Sequence, residues 1–210
     1  MNVVKVKYCG LKTTADIQNA IEAQVDAIGL VLVKKSPRFI SLDDAKKLAD
    51  MAKQGGLKVV ALFADNSDDE VIKAIESFQP DVLQFHGTES VQFCEQFNTP
   101  YWKAIPMLAT DDYVGYINKY PSAEAFLLDA FGGQQSGGSG QSFNWFEFPQ
   151  NLKSRLILAG GINEDNVIEA LKATGACYID TSSGIETSLG IKSKKKMLAL
   201  MNLIKAINKS

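Results

Sequence analysis

The sequence predicts a single-domain (β/α)8 barrel of the TIM type spanning residues 1–210, and three observations carry that prediction. Strand-like apolar runs recur eight times, about every 20–30 residues. Amphipathic helical patterns fill the intervals, and no Rossmann-type glycine fingerprint marks an open nucleotide-binding sheet. Alternation of this kind implies parallel strands with right-handed crossovers, and eight repeats favour closure. An open flavodoxin-like sheet is the alternative, but it needs only about five or six strands and leaves some runs unexplained.

The first run, VVKVKY at 3–8, alternates with period two. This places Lys5, Lys7 and Cys9 inside a barrel and turns Val4, Val6 and Tyr8 toward the helices. AIGLVL at 27–32 comes next, followed by a helix from Asp43 to Lys53 with Ala45, Leu48, Ala49 and Ala52 on one stripe. Ser41, three residues before Asp44, predicts a capping box, and Gly55-Gly56 predicts a left-handed C-cap. After KVVALFA at 58–64, Ser67 and Glu70 predict a second capping box. VLQFH at 82–86, YWKAIPM at 101–107 and AFLLDA at 125–130 are the middle strands. The glycine-rich stretch from Gly132 to Ser142 lies inside the repeat and reads as a loop between strand six and its helix, not as a linker between domains. RLILAG at 155–160 and CYIDTS at 177–182 complete the set. The lysines from 192 to 196 open a final amphipathic helix and read as its solvated face rather than a nucleic-acid patch.

Composition narrows the function classes. With 46% apolar and 22% charged residues and a net charge of −2, the chain is an ordinary globular one that advertises no polyanionic partner. Cys9, Cys94 and Cys177 are scattered, odd in number and without metal-ligand spacing, which predicts free thiols in a reducing compartment. The amino terminus shows no signal region and no run reaches membrane-span length, so a cytoplasmic protein is expected.

In a β/α barrel the chemistry sits at the carboxyl ends of the strands. The polar residues there are Cys9, Arg38, His86, Asp129, Gly160-Gly161 and Ser182-Ser183-Gly184. Singly, each has an ordinary alternative: a lone cysteine is usually a small buried hydrophobe, and a lone histidine usually a core or cap residue. Convergence on one rim makes them candidates together.

The segments KVKYCGL, SPRFIS, LQFHG, LLDA, GGSG, LAGGIN and IDTSSGIE, followed by Gly190, resemble in order and spacing the motif series of phosphoribosylanthranilate isomerases over nearly the whole chain. The resemblance implies an Amadori rearrangement in tryptophan biosynthesis. N-(5-phosphoribosyl)anthranilate would become 1-(2-carboxyphenylamino)-1-deoxyribulose 5-phosphate, with no cofactor and no metal. It implies Asp129 as the general acid that protonates the furanose oxygen and Cys9 as the general base that takes the C2 proton. Arg38 would hold the anthranilate carboxylate and His86 would line the pocket. Gly138 and Gly140, Gly160 and Gly161, and Ser182, Ser183 and Gly184 would receive the phosphate. The implied partner is a small phosphorylated molecule, with neither nucleic acid nor membrane, and both monomers and homodimers fit the family. Gln141 stands where the family often carries a basic residue and Asn144 where an aspartate is common, which bears on the phosphate loop rather than the reaction. Other phosphate-binding barrels fit less well: an indole-3-glycerol-phosphate synthase would show a lysine–glutamate pair, and a pentose-phosphate epimerase several histidines. A non-catalytic phosphosugar-binding barrel would make Cys9 and Asp129 dispensable.

Each role sets an electrostatic condition. Asp129 must hold a proton to act as an acid, so its ordinary value of about 3.9 has to rise. Cys9 needs a neighbouring cation, and alternation makes Lys7 the candidate. A lone lysine inside a barrel is unfavourable, so Lys7 is expected to pair with Asp180, which alternation also places inside.

Overall fold

The computed structural model describes residues 3–107, 112–129 and 150–209. Eight parallel strands close into a barrel in sequence order, with β8 returning to β1. They are β1 (Lys5–Cys9), β2 (Ala27–Val31), β3 (Lys58–Phe63), β4 (Val82–Phe85), β5 (Tyr101–Pro106), β6 (Ala125–Asp129), β7 (Leu156–Leu158) and β8 (Tyr178–Thr181). Outside them lie α1 (Thr14–Ala23), α2 (Leu42–Gln54), α3 (Asp68–Phe78), α4 (Val91–Glu95), α5 (Tyr113–Lys119), α6 (Val167–Thr174) and α7 (Lys194–Asn208). A 3-10 segment, Gln150–Arg155, leads into β7. The open-sheet alternative is set aside by the register of the closing pair, in which Lys7 stands opposite Asp180 and Tyr8 opposite Thr181.

Period-two alternation sorts the apolar side chains into two layers. Ala27, Val60, Val82, Trp102, Ala104, Leu127, Ile157 and Ala159 fill the barrel interior. Most are small because Trp102 and Tyr178 meet edge to face among them, with centroids 5.6 Å apart. The alternate positions, including Val6, Tyr8, Ile28, Leu30, Phe63, Phe85 and Ile105, pack outward under the helices. Tyr8 is buried there because its hydroxyl reaches the Met197 carbonyl of α7.

The helix starts follow local chemistry. Ser67 and Glu70 form the reciprocal capping box. Ser41 accepts from the Asp44 amide, but the Asp44 carboxylate takes the Ser41 hydroxyl instead of returning to the cap N–H, so this cap is one-sided. At the end of α2 the left-handed residue is Gly56, at φ 78°, and Gly55 lies at φ −78°. The lysine run divides. Lys192 belongs to a two-stranded ribbon, β9 (Glu186–Ser188) with β10 (Ile191–Lys192), and only Lys194 onward is helical. The ribbon lies over the barrel mouth beside the candidate site. Among the described residues no helix is long and apolar enough to cross a membrane.

Candidate active site

At the carboxyl ends of the strands a cavity of about 440 Å³ is lined by Cys9, Arg38, His86, Asp129, Gly160, Gly161, Ser182 and Ser183, with Gln84 and Asp180 below them. A smaller neighbour of about 200 Å³ shares Gly161 and Ser183 and adds Gly184, Asn163 and Lys196. The structure thus brings together the predicted residues of strands one, two, four, six, seven and eight. Gly138, Gly140, Gln141 and Asn144 lie outside the described residues.

Cys9 ends β1 with its thiol facing inward, 4% exposed. Beneath it Lys7 is fully buried, and its Nζ lies 2.8 Å from Asp180 Oδ1, close enough to the cysteine for its charge to act on the thiol. Burial opposes the Lys7 charge, but Asp180 and Cys9 outweigh it and raise the lysine pKa, so the ammonium persists. At Cys9 burial raises the thiol pKa, Lys7 and Lys192 pull it back and Asp180 opposes them, with a net upward result. The expected cation is therefore present and acts in the expected direction, but desolvation exceeds it. Opposite Cys9 stands Gly29 of β2. A Cβ there would fall 2.7 Å from Cys9 Sγ and 3.1 Å from Lys7 Cε, so this interior position stays a glycine to leave room for the thiol and its lysine.

Arg38 follows the short bend after β2 and is 6% exposed. Its Nε and Nη2 donate to the two carboxylate oxygens of Glu186 at 2.8 and 2.9 Å, a fork-to-fork pair. Lys192 Nζ shares Glu186 Oε1 at 2.7 Å and also donates to the Ser182 carbonyl and hydroxyl oxygens. The Ser182 hydroxyl donates to the Cys9 carbonyl. Burial opposes the Glu186 charge, yet the hydrogen bonds from Arg38 and Lys192 prevail and hold the carboxyl below its usual range. Burial lowers the Lys192 pKa despite that partner. Reading Lys192 as part of a solvated face is thus corrected: the ribbon turns it inward, where its side chain is fully buried.

Across the cavity Asp129 ends β6, and its Oδ2 lies 3.1 Å from His86 Nε2. On the other side of the ring, Gln84 Nε2 stands 3.2 Å from His86 Nδ1. The Gln84 amide nitrogen can only donate, so this contact uses Nδ1 as its acceptor and leaves Nε2 toward the carboxylate. His86 thus bridges a buried amide and the candidate acid, a more specific place than the expected wall of the pocket.

Gly160 and Gly161 both occupy the left-handed region, at φ 76° and 69°, which turns the loop after β7 tightly over the barrel mouth. Gly184 packs on that loop so closely that a Cβ would fall 1.9 Å from the Ile162 carbonyl oxygen. Thr181 adds a hydrogen bond to the same oxygen at 2.6 Å. The loops after β7 and β8 are therefore one locked unit between the two cavities.

Sequence reasoning missed Gln84, Glu186, Lys192 and Gly29. Alternation within LQFH could have placed Gln84 on the inner face with His86. Glu186 lies within a segment already singled out, but its pairing depends on a ribbon too short for a periodic signal.

The family model described as N-(5'phosphoribosyl)anthranilate (PRA) isomerase matches residues 6–203. The N-(5'-phosphoribosyl)anthranilate isomerase of Xanthomonas euvesicatoria pv. vesicatoria is 39% identical over 199 residues, covering 92% of this chain and 89% of the relative. That of Pseudomonas fluorescens is 37% identical over 205 residues, covering 98% and 100%. Among solved structures, the phosphoribosyl anthranilate isomerase of Thermus thermophilus superimposes with TM-score 0.84 at 30% identity, covering 97% of this chain and 100% of that one. A phosphoribosyl anthranilate isomerase in complex with reduced 1-(o-carboxyphenylamino)-1-deoxyribulose 5-phosphate superimposes with TM-score 0.82 at 25% identity, covering 97% and 99%.

Proposed function

The chain belongs to the N-(5'-phosphoribosyl)anthranilate isomerase family, and from that premise we propose how its own residues divide the work. It is an isomerase of tryptophan biosynthesis that converts N-(5'-phosphoribosyl)anthranilate to 1-(2-carboxyphenylamino)-1-deoxyribulose 5-phosphate. The observation that carries the assignment of roles is the convergence of Cys9, Arg38, His86, Asp129, Gly161 and Ser183 on one cavity.

Asp129, protonated, gives its proton to the furanose ring oxygen as the C1–O bond breaks, leaving a Schiff base between C1 and the anthranilate nitrogen. The thiolate of Cys9 then takes the proton from C2. The C2–H electrons move into the imine, and the enolamine that results tautomerises to the 2-ketone. Atoms and electrons balance within the substrate, so the reaction is an isomerisation. His86 Nε2–H stabilises the Asp129 carboxylate once its proton has gone. In the substrate-free site burial keeps Cys9 mostly as the thiol, and positive charge on the imine nitrogen makes the thiolate less unfavourable when it is needed.

The anthranilate carboxylate meets Arg38 on the guanidinium edge that Glu186 does not occupy. Glu186 fixes the guanidinium plane, and Lys192 keeps Glu186 from quenching the local positive potential. The phosphate sits at the junction of the two cavities, on backbone N–H groups of Gly161 and Ser183. The chain acts as one catalytic domain, residues 1–210, in the cytoplasm, as a monomer or a homodimer. Loss of phosphoribosylanthranilate fluorescence is the direct test. Purified protein that leaves the substrate unconsumed would refute the activity, and Cys9→Ala or Asp129→Asn protein with wild-type turnover would refute the roles.

A further inference from the structure

A further buried ion pair lies outside the barrel interior, where the reaction chemistry does not reach. Lys103 on β5 points into the apolar layer between sheet and helices and is fully buried, and Glu89, in the loop after β4, is 6% exposed. Their charged atoms stand 3.0 Å apart.

The donors of Lys103 are spent in a specific way. Nζ reaches the Gly87 carbonyl at 2.6 Å and the Phe85 carbonyl at 3.3 Å, the peptide oxygens on either side of His86, and its third contact is Glu89 Oε2. Glu89 in turn gathers the same loop. Its carboxylate accepts from the Gly87 amide at 3.0 and 3.1 Å and from the Asp65 amide at 2.9 Å. Asp65, in the left-handed region at φ 54°, binds the Thr88 amide and hydroxyl through its own carboxylate. The Tyr120 hydroxyl donates to the Glu89 carbonyl, and the His86 amide donates to the Phe63 carbonyl at 2.8 Å. The approach is close enough that a Cβ on Gly87 would fall 2.5 Å from Asp65 Oδ1.

A methionine of similar length would fill this apolar layer without the desolvation an ammonium suffers. What a methionine would not supply is the set of donors that bend the chain around His86. We infer that Lys103 and Glu89 are positioning residues that fix the backbone on both sides of His86 and so hold its ring against Asp129. The functional part of this inference rests on the role assigned to His86 above, whereas the positioning itself is open to direct observation.

His86 is the chain's single histidine, so its ring nitrogens can be followed by NMR without ambiguity. The experiment compares ring 15N shifts, kcat and KM in Lys103→Met, Glu89→Gln and wild-type protein. Displaced or broadened His86 ring signals are expected in both variants, with kcat lower by about tenfold or more and KM within about twofold, because a shifted group harms the chemical step more than binding. Ring signals at wild-type positions in a folded variant overturn the inference. Should Lys103→Met fail to fold, Glu89→Gln, which keeps the side-chain shape, decides the matter alone. His86→Ala separates the two readings: wild-type turnover there removes His86 from the mechanism, while the ring shifts still judge the positioning.

Discussion

Lys7 Nζ and Asp180 Oδ1 stand 2.8 Å apart at directly paired positions on the two strands whose meeting closes the barrel. The pair is at once a seam and part of the active site, since Asp180 lines the cavity and the charge of the same ammonium acts on Cys9. Removing one partner of a buried pair typically costs about 3–5 kcal/mol. Asp180→Ala should therefore destabilise the fold far more than Asp129→Asn, and chemical denaturation of the two variants checks the ranking.

The same geometry predicts the behaviour of the thiol. Lys7 lowers the Cys9 pKa against the upward pull of burial, so Lys7→Met should move the alkaline rise in iodoacetamide labelling of Cys9 to higher pH. Peptide-resolved mass spectrometry distinguishes Cys9 from Cys94 and Cys177. A labelling profile unchanged in pH would show that Lys7 does not act on the thiol.

Gly29→Ala probes position without touching charge. The new methyl would press on Cys9 Sγ, so kcat should fall by about tenfold or more while Arg38 continues to bind substrate and KM changes little. Steady-state kinetics suffice, and an increase in KM alone would contradict the assignment of the thiol to the chemical step.

Arg38→Ala should mainly raise KM, and Glu186→Gln should do so more mildly by loosening the guanidinium plane. Glu186 adds a pH signature. Its carboxyl is held below its ordinary 4.5, so it stabilises the fold above that value and the contribution is lost as pH falls through the depressed value. Melting temperatures measured downward from pH 4.5 should decline less steeply in Glu186→Gln than in wild type.

Inorganic phosphate should compete with substrate, and a crystal soaked in sulfate should show density between Gly161 and Ser183. Density confined to other parts of the barrel would count against the phosphate site. Gly184→Ala, which drives a methyl into the Ile162 carbonyl, should weaken this competition by unlocking the two loops.

Much of this architecture was legible in the chain because alternation is strict. Assigning Lys7, Cys9 and Asp180 to the interior needs nothing beyond a period of two and a closed barrel. Helix stripes such as Ala45, Leu48, Ala49 and Ala52 were equally plain. What stayed hidden concerns side chains whose partners or surroundings come from irregular segments and packing. Lys192 looked solvated because its run of neighbours is polar, and its inward turn comes from a two-residue strand that no periodicity announces. Lys103 and Glu89 lie fourteen residues apart on a strand and a loop, and their pairing follows from how the loop folds back. The net upward pKa of Cys9 depends on desolvation, a property of the packed site that no local pattern records.

The closing seam also has a consequence for how the protein is made. Lys7 and Asp180 are separated by 173 residues, and Val4 is hydrogen-bonded to Asn208 at the far end of the chain. A ribosome adding about 5–20 residues per second delivers Asp180 on the order of ten seconds or more after Lys7. Throughout that interval β1 lacks its β8 neighbour and the counter-charge for its lysine. A nascent chain therefore gains little by burying β1 early, and the lysine favours keeping that strand wet until the last βα unit arrives. Appearance of enzyme activity during synthesis would then follow emergence of β8 and α7, with no activity from fragments that end before them.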